Sequence, residues 1–340
     1  MKSSISLAGP PGAPVSGVAV PQRSGAQRVT IQQYVPVASF GSFGTAPGQF
    51  NHPRGLVLDD QNHLFVLDSG NTRVQTLDRD GSFVSSFGRY GNVNGQFASP
   101  TAIALSNSGS LYVTDAGNAC VSSYDHNGVC TGSFGSYGPG RGSFTLPSGI
   151  AVSAEGLIFV TDTNNTRVQV MDSDGAYVRQ FGGLGVSSSP LRVPIGIAIG
   201  RDGSVYVTDR DAECVLVHDQ DGQLLRRIGR PGSGPGRLHK PLGVAVDSAG
   251  NVFVADAGNH RIQVFNSNGE FMTQFGSRGS GAGKLNLPTA VALGAHGCVY
   301  VADCDNHRIQ VFAPSSSIQR RGLLSGFGLL AASCISRFKR

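Results

Sequence analysis

The 340-residue chain has no tryptophan, only 14% charged residues, and six cysteines (Cys120, Cys130, Cys214, Cys298, Cys304 and Cys334). The cysteines form no C-x-x-C pair and no Cys/His group at zinc-finger or RING-like spacing, which excludes small zinc modules. Thiols scattered through a chain of this length are expected to be ordinary free thiols of a reducing, cytoplasmic compartment. No run of about 18 apolar residues is present, so no helical membrane span is expected. The N-terminal stretch carries Lys2 and is then broken by Pro10, Pro11 and Pro14, so it does not read as a signal peptide. Helical periodicity is missing throughout. Glycine, by contrast, is abundant: 48 residues, twice the roughly 7% of an average chain, without a collagen-like triplet. The 39% of apolar residues suffices for a sizeable core and excludes wholesale disorder.

A period of 47 residues organises the chain. It spaces Pro53, Pro100, Pro147, Pro194, Pro241 and Pro288, and likewise Asp68, Asp115, Asp162, Asp209, Asp256 and Asp303. Each unit reads P-x-G-I-A-V, a polar turn, V-Y-V-T-D, x-x-N-x-R-V-Q-V, D-x-x-G and an aromatic segment ending F-G, with no insertion in six copies. In the third unit Gly149–Val152, Ile158–Thr161, Arg167–Met171 and Tyr177–Phe181 read as four short strands. Asp172-Ser173-Asp174-Gly175 supplies hairpin chemistry between the last two, because glycine tolerates positive φ. Four strands in about 45 residues are a propeller blade, which buries its faces only against neighbouring blades. Six copies predict an all-β, six-bladed propeller over residues 34–313. After Phe312 the hairpin turn is missing, while Tyr34–Gly41 stands in register with the fourth strand of the other units. This N-terminal strand is expected to complete the last blade and close the ring, removing exposed sheet edges.

The units resemble NHL repeats, as in Pro241-x-Gly243-Val244-Ala245-Val246 and Val252-Phe253-Val254-Ala255-Asp256-Ala257-Gly258-Asn259-His260-Arg261-Ile262-Gln263-Val264-Phe265. The Asn-His-Leu trio that names the family stands here as Asn259-His260-Arg261 and Asn306-His307-Arg308. The resemblance covers about 280 residues and implies a propeller like those ending TRIM-NHL proteins, which bind RNA or protein partners. In that family RING, B-box and coiled-coil modules supply ubiquitin-ligase chemistry. None is read in this chain, so the resemblance does not carry ligase activity to it.

Residues that recur in every unit are expected to serve the fold, and departures from the repeat to carry function. The recurrent Asp is followed five residues later by Arg73, Arg167, Arg261 and Arg308, a spacing that predicts an ion pair bracing the intervening loop. Cys120 and Cys214 replace that Arg in units two and four, as small apolar fillers rather than reactive thiols. The loops from fourth to first strand are expected to share a face with those joining second and third strands. One such crossing, Arg226 to Lys240, holds Arg226, Arg227, Arg230, Arg237 and Lys240 together with His239, and no acid. The next adds Arg278 and Lys284, and His260 and His307 fall on the same face. The candidate partner-binding set is therefore Arg227, Arg230, Arg237, His239, Lys240, His260, Arg278, Lys284 and His307, a basic sector over blades four to six suited to RNA phosphate or an acidic protein segment.

Arg54, Thr101, Ser148, Ile195, Leu242 and Thr289 are expected at the mouth of the central channel. Peptide-amidating lyases also use an NHL-like ring, with a metal held by histidines around the channel. None of these six is His, and His52 and His239 lack the converging partners that zinc requires. No catalytic residue, cofactor or metal site is therefore expected. The tails concentrate the positive charge. Eight of the 27 basic residues and none of the 22 acidic ones lie in residues 1–33 and 314–340, which leaves the ring at a net −3. Residues 1–33 read as a disordered tail. Residues 314–340, apolar between basic clusters, suit contact with an anionic membrane surface. The expectation is a monomeric, cytoplasmic, non-catalytic scaffold for protein partners, including client recruitment in ubiquitin-ligase assemblies. Single-stranded RNA binding is the first alternative and a channel-centred lyase or hydrolase the second.

Overall fold

The computed structural model describes residues 32–183 and 191–319. Six four-stranded antiparallel sheets stand around a central channel. In blade three the strands are Pro147–Val152, Ile158–Asp162, Arg167–Met171 and Tyr177–Gly182, running from the channel outward. All five residues of the second strand are buried in every blade, as in Ile158–Asp162 and Val205–Asp209. These strands are near-continuous apolar runs because both of their faces meet neighbouring blades. The third strand alternates with them: Val168 and Val170 pack against Val205, Val207 and Leu216 of the next blade.

The blade turns follow their sequence. Asp172 Oδ1 accepts the backbone N–H of Asp174 (3.0 Å) and of Ala176 (2.8 Å), and Gly175 closes the turn at φ 83°. In the first strands glycine serves close approach instead. A Cβ on Gly196 would lie 2.1 Å from the Leu242 carbonyl oxygen of the next blade, and one on Gly149 would lie 2.2 Å from that of Ile195. The inner strands converge on the channel, so backbone meets backbone there.

The last blade is made from both regions of the chain that the repeat placed together. Tyr34–Phe40 pairs antiparallel with Arg308–Pro314, from Tyr34 opposite Pro314 to Phe40 opposite Ile309, with a bulge between Pro36 and Ala38. Gly81, which Phe40 covers, carries the contact into blade one. A short helix, Ser315–Gln319, follows, and Ser315 N–H donates to the Gln33 carbonyl at 2.7 Å. Apart from these few residues, the tails expected to be disordered (1–33) and to touch a membrane (314–340) lie outside the described residues. Among the described residues no helix is long and apolar enough to cross a membrane. Cys120, Cys130, Cys214 and Cys304 are free, whereas Cys298 is disulfide-bonded, a departure from the expectation of ordinary thiols throughout.

One core position breaks the pattern. The third strand runs to Leu77, Tyr124, Met171, His218, Phe265 and Phe312, all fully buried, and only the fourth blade places an imidazole there. Neither nitrogen of His218 has a hydrogen-bond partner, and its ring lies 4.9 Å from that of Phe181. Burial pushes its pKa down to about 4. The unfolded chain protonates this ring near pH 6.5, so its contribution to stability is complete above that pH and is lost as pH falls toward 4. Replacing it as blade three does, H218M, relieves two unsatisfied nitrogens and should stabilise the fold by about 1–3 kcal/mol. Urea melts should show a larger gain at pH 4.5 than at pH 7.5; equal gains at both would contradict the assignment. G196A, by contrast, should destabilise by about 1–3 kcal/mol through overpacking, read as a lowered melting temperature.

Candidate functional site

Each recurrent Asp is fully buried at the end of its second strand and gathers the face of the ring around itself. In blade five, Asp256 Oδ1 accepts the backbone N–H of His239 at 2.7 Å, and Oδ2 accepts from Asn259 Nδ2 (2.9 Å), Arg261 Nε (2.8 Å) and Gln263 Nε2 (2.9 Å). Arg261 Nη2 donates onward to the carbonyls of Gly234 and Arg237, each at 2.9 Å. Gln263 Oε1 accepts the Gly236 N–H at 2.8 Å. Charge-assisted bonds of this kind are the strong ones, and here they fasten the backbone of the incoming basic crossing. The braced Asp–Arg pair recurs as Asp68–Arg73, Asp162–Arg167 and Asp303–Arg308, with Nε–Oδ2 distances of 2.8–2.9 Å.

Blade four departs from this network. Ala212, Cys214 and Leu216 replace the Asn, Arg and Gln, and among the described residues Asp209 holds backbone N–H groups alone, those of Arg192, Val193 and Ala212. Arg227 reaches in from the outer strand to donate to the Ala212 carbonyl at 2.5 Å. Its counterparts Gln180 and Gln274 accept instead from Arg167 and Arg261. The charge has moved from the third strand to the fourth, which gives Arg227 a bracing role within its blade. Burial raises the Cys214 thiol to about 11 and also raises that of Cys120, as expected of apolar fillers rather than activated nucleophiles.

The basic candidates do share the crossing-loop face. Arg230, Arg237, Lys240, Arg278 and Lys284 are exposed there. Arg237 Nη1 donates to the Pro231 carbonyl (3.1 Å), and Lys284 Nζ to Ser277 Oγ (2.8 Å). The histidines differ. His239 Nδ1 meets Glu213 Oε1 at 2.5 Å. His260 and His307 take left-handed backbone (φ 55° and 53°), as Thr72, Ala119, Thr166 and Glu213 do at the same repeat position. Their Nδ1 atoms accept the backbone N–H of Leu287 and of His52, each at 3.1 Å. Burial, then Arg278, lowers the pKa of His260; burial, then His52, lowers that of His307. Both are neutral loop fasteners at pH 7 and add no charge to the sector.

The same face carries a second set that reading the sequence for charge misses. Phe43, Tyr90 and Tyr137 are 66%, 76% and 78% exposed. They occupy one position of the repeat, each bridged to the buried Phe50, Phe97 or Phe144 of its own crossing, where blades five and six have Pro231 and Arg278. Phe43 also packs edge-on against His307 at 4.8 Å. The face thus carries an aromatic arc over the first three crossings, where Arg89 and Arg141 are also exposed, and a cluster of basic side chains over the last two. At its centre Arg54, Thr101, Ser148, Ile195, Leu242 and Thr289 ring a narrow channel mouth of about 110 Å³. The channel opens toward the opposite face in a cavity of about 1030 Å³ walled by Leu56, Ile103, Ile150, Ile197, Val244 and Val291. His52 and His239 do not converge on that narrow mouth: His52 rests on the His307 ring at 4.5 Å, and His239 turns to Glu213.

The NHL repeat family matches residues 50–77, 97–124, 144–171, 238–265 and 285–312. The fourth unit, without the Asn, Arg and Gln of the network, falls outside these matches. Over 76 residues (22% of this chain) the sequence is 34% identical to Protein lin-41 of Caenorhabditis elegans. Over 60 residues (18%) it is 38% identical to the E3 ubiquitin-protein ligase TRIM32 of Mus musculus. The matched segments span only 7% and 9% of those proteins. Among solved structures, virginiamycin B lyase from Staphylococcus aureus superposes with a TM-score of 0.55 at 15% identity, over 83% of this chain and 98% of that one, a likeness of fold.

The network predicts unequal costs for one substitution. D256N leaves Arg261 buried without its anionic partner, and breaking such a pair costs about 3–5 kcal/mol. D209N, in the blade without that Arg, should cost clearly less. Chemical denaturation of the two variants reads the difference directly.

Proposed function

We propose that this chain, an NHL-repeat β-propeller, is a non-catalytic scaffold that binds a protein partner on its crossing-loop face. The reading rests on the aromatic arc of Phe43, Tyr90 and Tyr137. Aromatic side chains this exposed carry a solvation cost when free, and Tyr and Arg dominate the energetics of protein interfaces. Their backbone is fixed by the buried Asp network, so little ordering entropy is lost on binding. The exposed Arg230, Arg237, Lys240 and Arg278 would pair with an acidic segment of the partner and steer its approach. Recruitment of clients to a ubiquitin ligase is the finer form of this proposal, supported by the similarity to TRIM32 alone. A single ring acting in the cytoplasm is part of the same proposal.

One observation favours a second reading, single-stranded RNA binding. Stacking rings beside a basic groove are the elements such proteins combine, and the rings here share a face with the charges. The ring's net charge of −3 weighs against a general affinity for nucleic acid. A lyase centred on the crossing-face mouth draws no support from the residues that line it, which include neither His nor acid.

Crosslinking of the full chain to its bound partners, followed by identification of what is captured, tests the proposal. The F43A/Y90A/Y137A variant should lose a protein partner by at least about 30-fold in affinity, the cost of a single interface hot spot of about 2 kcal/mol. The R230E/R237E/K240E variant should slow association and flatten its salt dependence. Capture of RNA with a steep salt dependence, abolished by charge reversal, would support the second reading instead. Capture indifferent to both variants would remove this face from the function.

A further inference from the structure

We propose that Asp59, His63 and His126 form a binding site for a divalent transition-metal ion of the zinc class, on the face opposite the crossing loops. Asp59 and His63 stand in the loop between the first two strands of blade one, and His126 in the outer hairpin turn of blade two. Asp59 Oδ2 lies 2.8 Å from His63 Nδ1 and 3.5 Å from His126 Nε2. The three ligand atoms all fall within 4.8 Å of one another. Ligand atoms of a tetrahedral ion with bonds of about 2.0–2.1 Å are separated by about 3.3 Å. The half-exposed His126 side chain, at 46%, has room to close the remaining gap.

The carboxylate is held ready for such an ion. Asp59 Oδ1 accepts the backbone N–H of Gln61 (2.9 Å) and of His63 (2.7 Å), which leaves Oδ2 turned to the two rings. Its side chain is only 4% exposed, and the ion pairs found for it among the described residues are those with His63 and His126. A buried carboxylate calls for a compensating cation, and here two imidazoles converge on it where an Arg or Lys would ordinarily stand. Two nitrogens and one oxygen favour zinc-like ions over magnesium or calcium, which prefer all-oxygen shells. Asp59 and His126 also line the wide channel cavity, so the remaining coordination positions face solvent that a small ligand could replace.

The repeat supplies an internal control. Asp247, the blade-five counterpart of Asp59, makes the same loop, with Oδ1 on the N–H groups of Ala249 and Asn251. There the position of His63 is Asn251, whose Nδ2 donates to Asp247 Oδ2 at 2.8 Å. The position of His126 is Arg79, Ser173, Gln220 and Ser267 in the other hairpins. The same loop forms in the other blades with Ser, Gly or Asp at the position of Asp59 and with neither His. Both histidines occur in this chain only where they meet.

Those counterparts also provide variants that keep the fold: H63N copies blade five and H126Q copies blade four. The full chain, stripped with chelator, is titrated with Zn²⁺ by calorimetry and with Co²⁺ by visible absorption. One equivalent should bind, with a raised melting temperature and with the d–d bands of a four- or five-coordinate cobalt site. Mg²⁺ and Ca²⁺ should not compete. Losing even an outer-shell partner weakens metal sites about 10–100-fold, so H63N and H126Q should each weaken Zn²⁺ by more than about tenfold, and H52A, on the other face, should not. Absence of stoichiometric binding, or binding unaffected by the H63N/H126Q double variant at unchanged thermal stability, would overturn the proposal.

Discussion

The carboxylate that ends each second strand is the constraint on which the molecule depends. A bare charge in that position would be expensive, because it is shut away from water between two blades. Each of the six Asp side chains offsets this by accepting backbone N–H groups from the crossing that enters its own blade. In four blades an Arg is added behind it. The bond therefore joins sheet to loop and one blade to the next. Glycine-rich crossings, which on their own would be slack, are held at several backbone atoms each. A face built in this way can display Phe43, Tyr90, Tyr137 and the arginines of the later crossings without a helix or an extra domain to support them.

Much of this was legible in the sequence because the period is strict. The 47-residue spacing gave the strand count, the hairpin turns, the Asp–Arg pair and the closure by Tyr34–Phe40. Strand ends differ from those expected by a residue or two, since Pro147 and Asp162 pair across the blade at positions that local propensity leaves undecided. The left-handed residue at His260 and its five counterparts escaped notice because Thr, Ala, Glu and His share no chemistry that announces positive φ. The aromatic arc could have been found by following position 43 through the repeat, but charge drew attention to the later crossings. Arg227 read as a surface charge because its partner, Ala212 carbonyl, is a backbone atom that no sequence pattern displays. The Asp59 group was the least legible of all, since His63 and His126 belong to different blades and only the curvature of the ring sets them side by side.

Repetition makes each departure informative. Where six positions face the same environment, the residue that differs is measured against five controls in one molecule. His218 stands out as the one imidazole among the six, and in blade four the charge moves from the third strand, where Cys214 stands, to Arg227 of the fourth, which makes a new bond to the Ala212 carbonyl. Such departures cluster in blades one, two and four. The ring is regular enough to keep its shape and irregular enough to have distinct sides, which a binding protein of this architecture requires.

The blade assembled from Tyr34–Phe40 and Arg308–Pro314 has a consequence in time. During synthesis the earliest strand of the ring must wait, unpaired, until the last has left the ribosome. Five blades can gather in order as they emerge, but the sixth is one that no partial chain can complete. The loop closed at that moment is nearly the whole ring, and its closing entropy grows only slowly with length. The seam is thus cheap to make and late to form, and a nascent chain remains an open arc with a free edge until its final strand arrives.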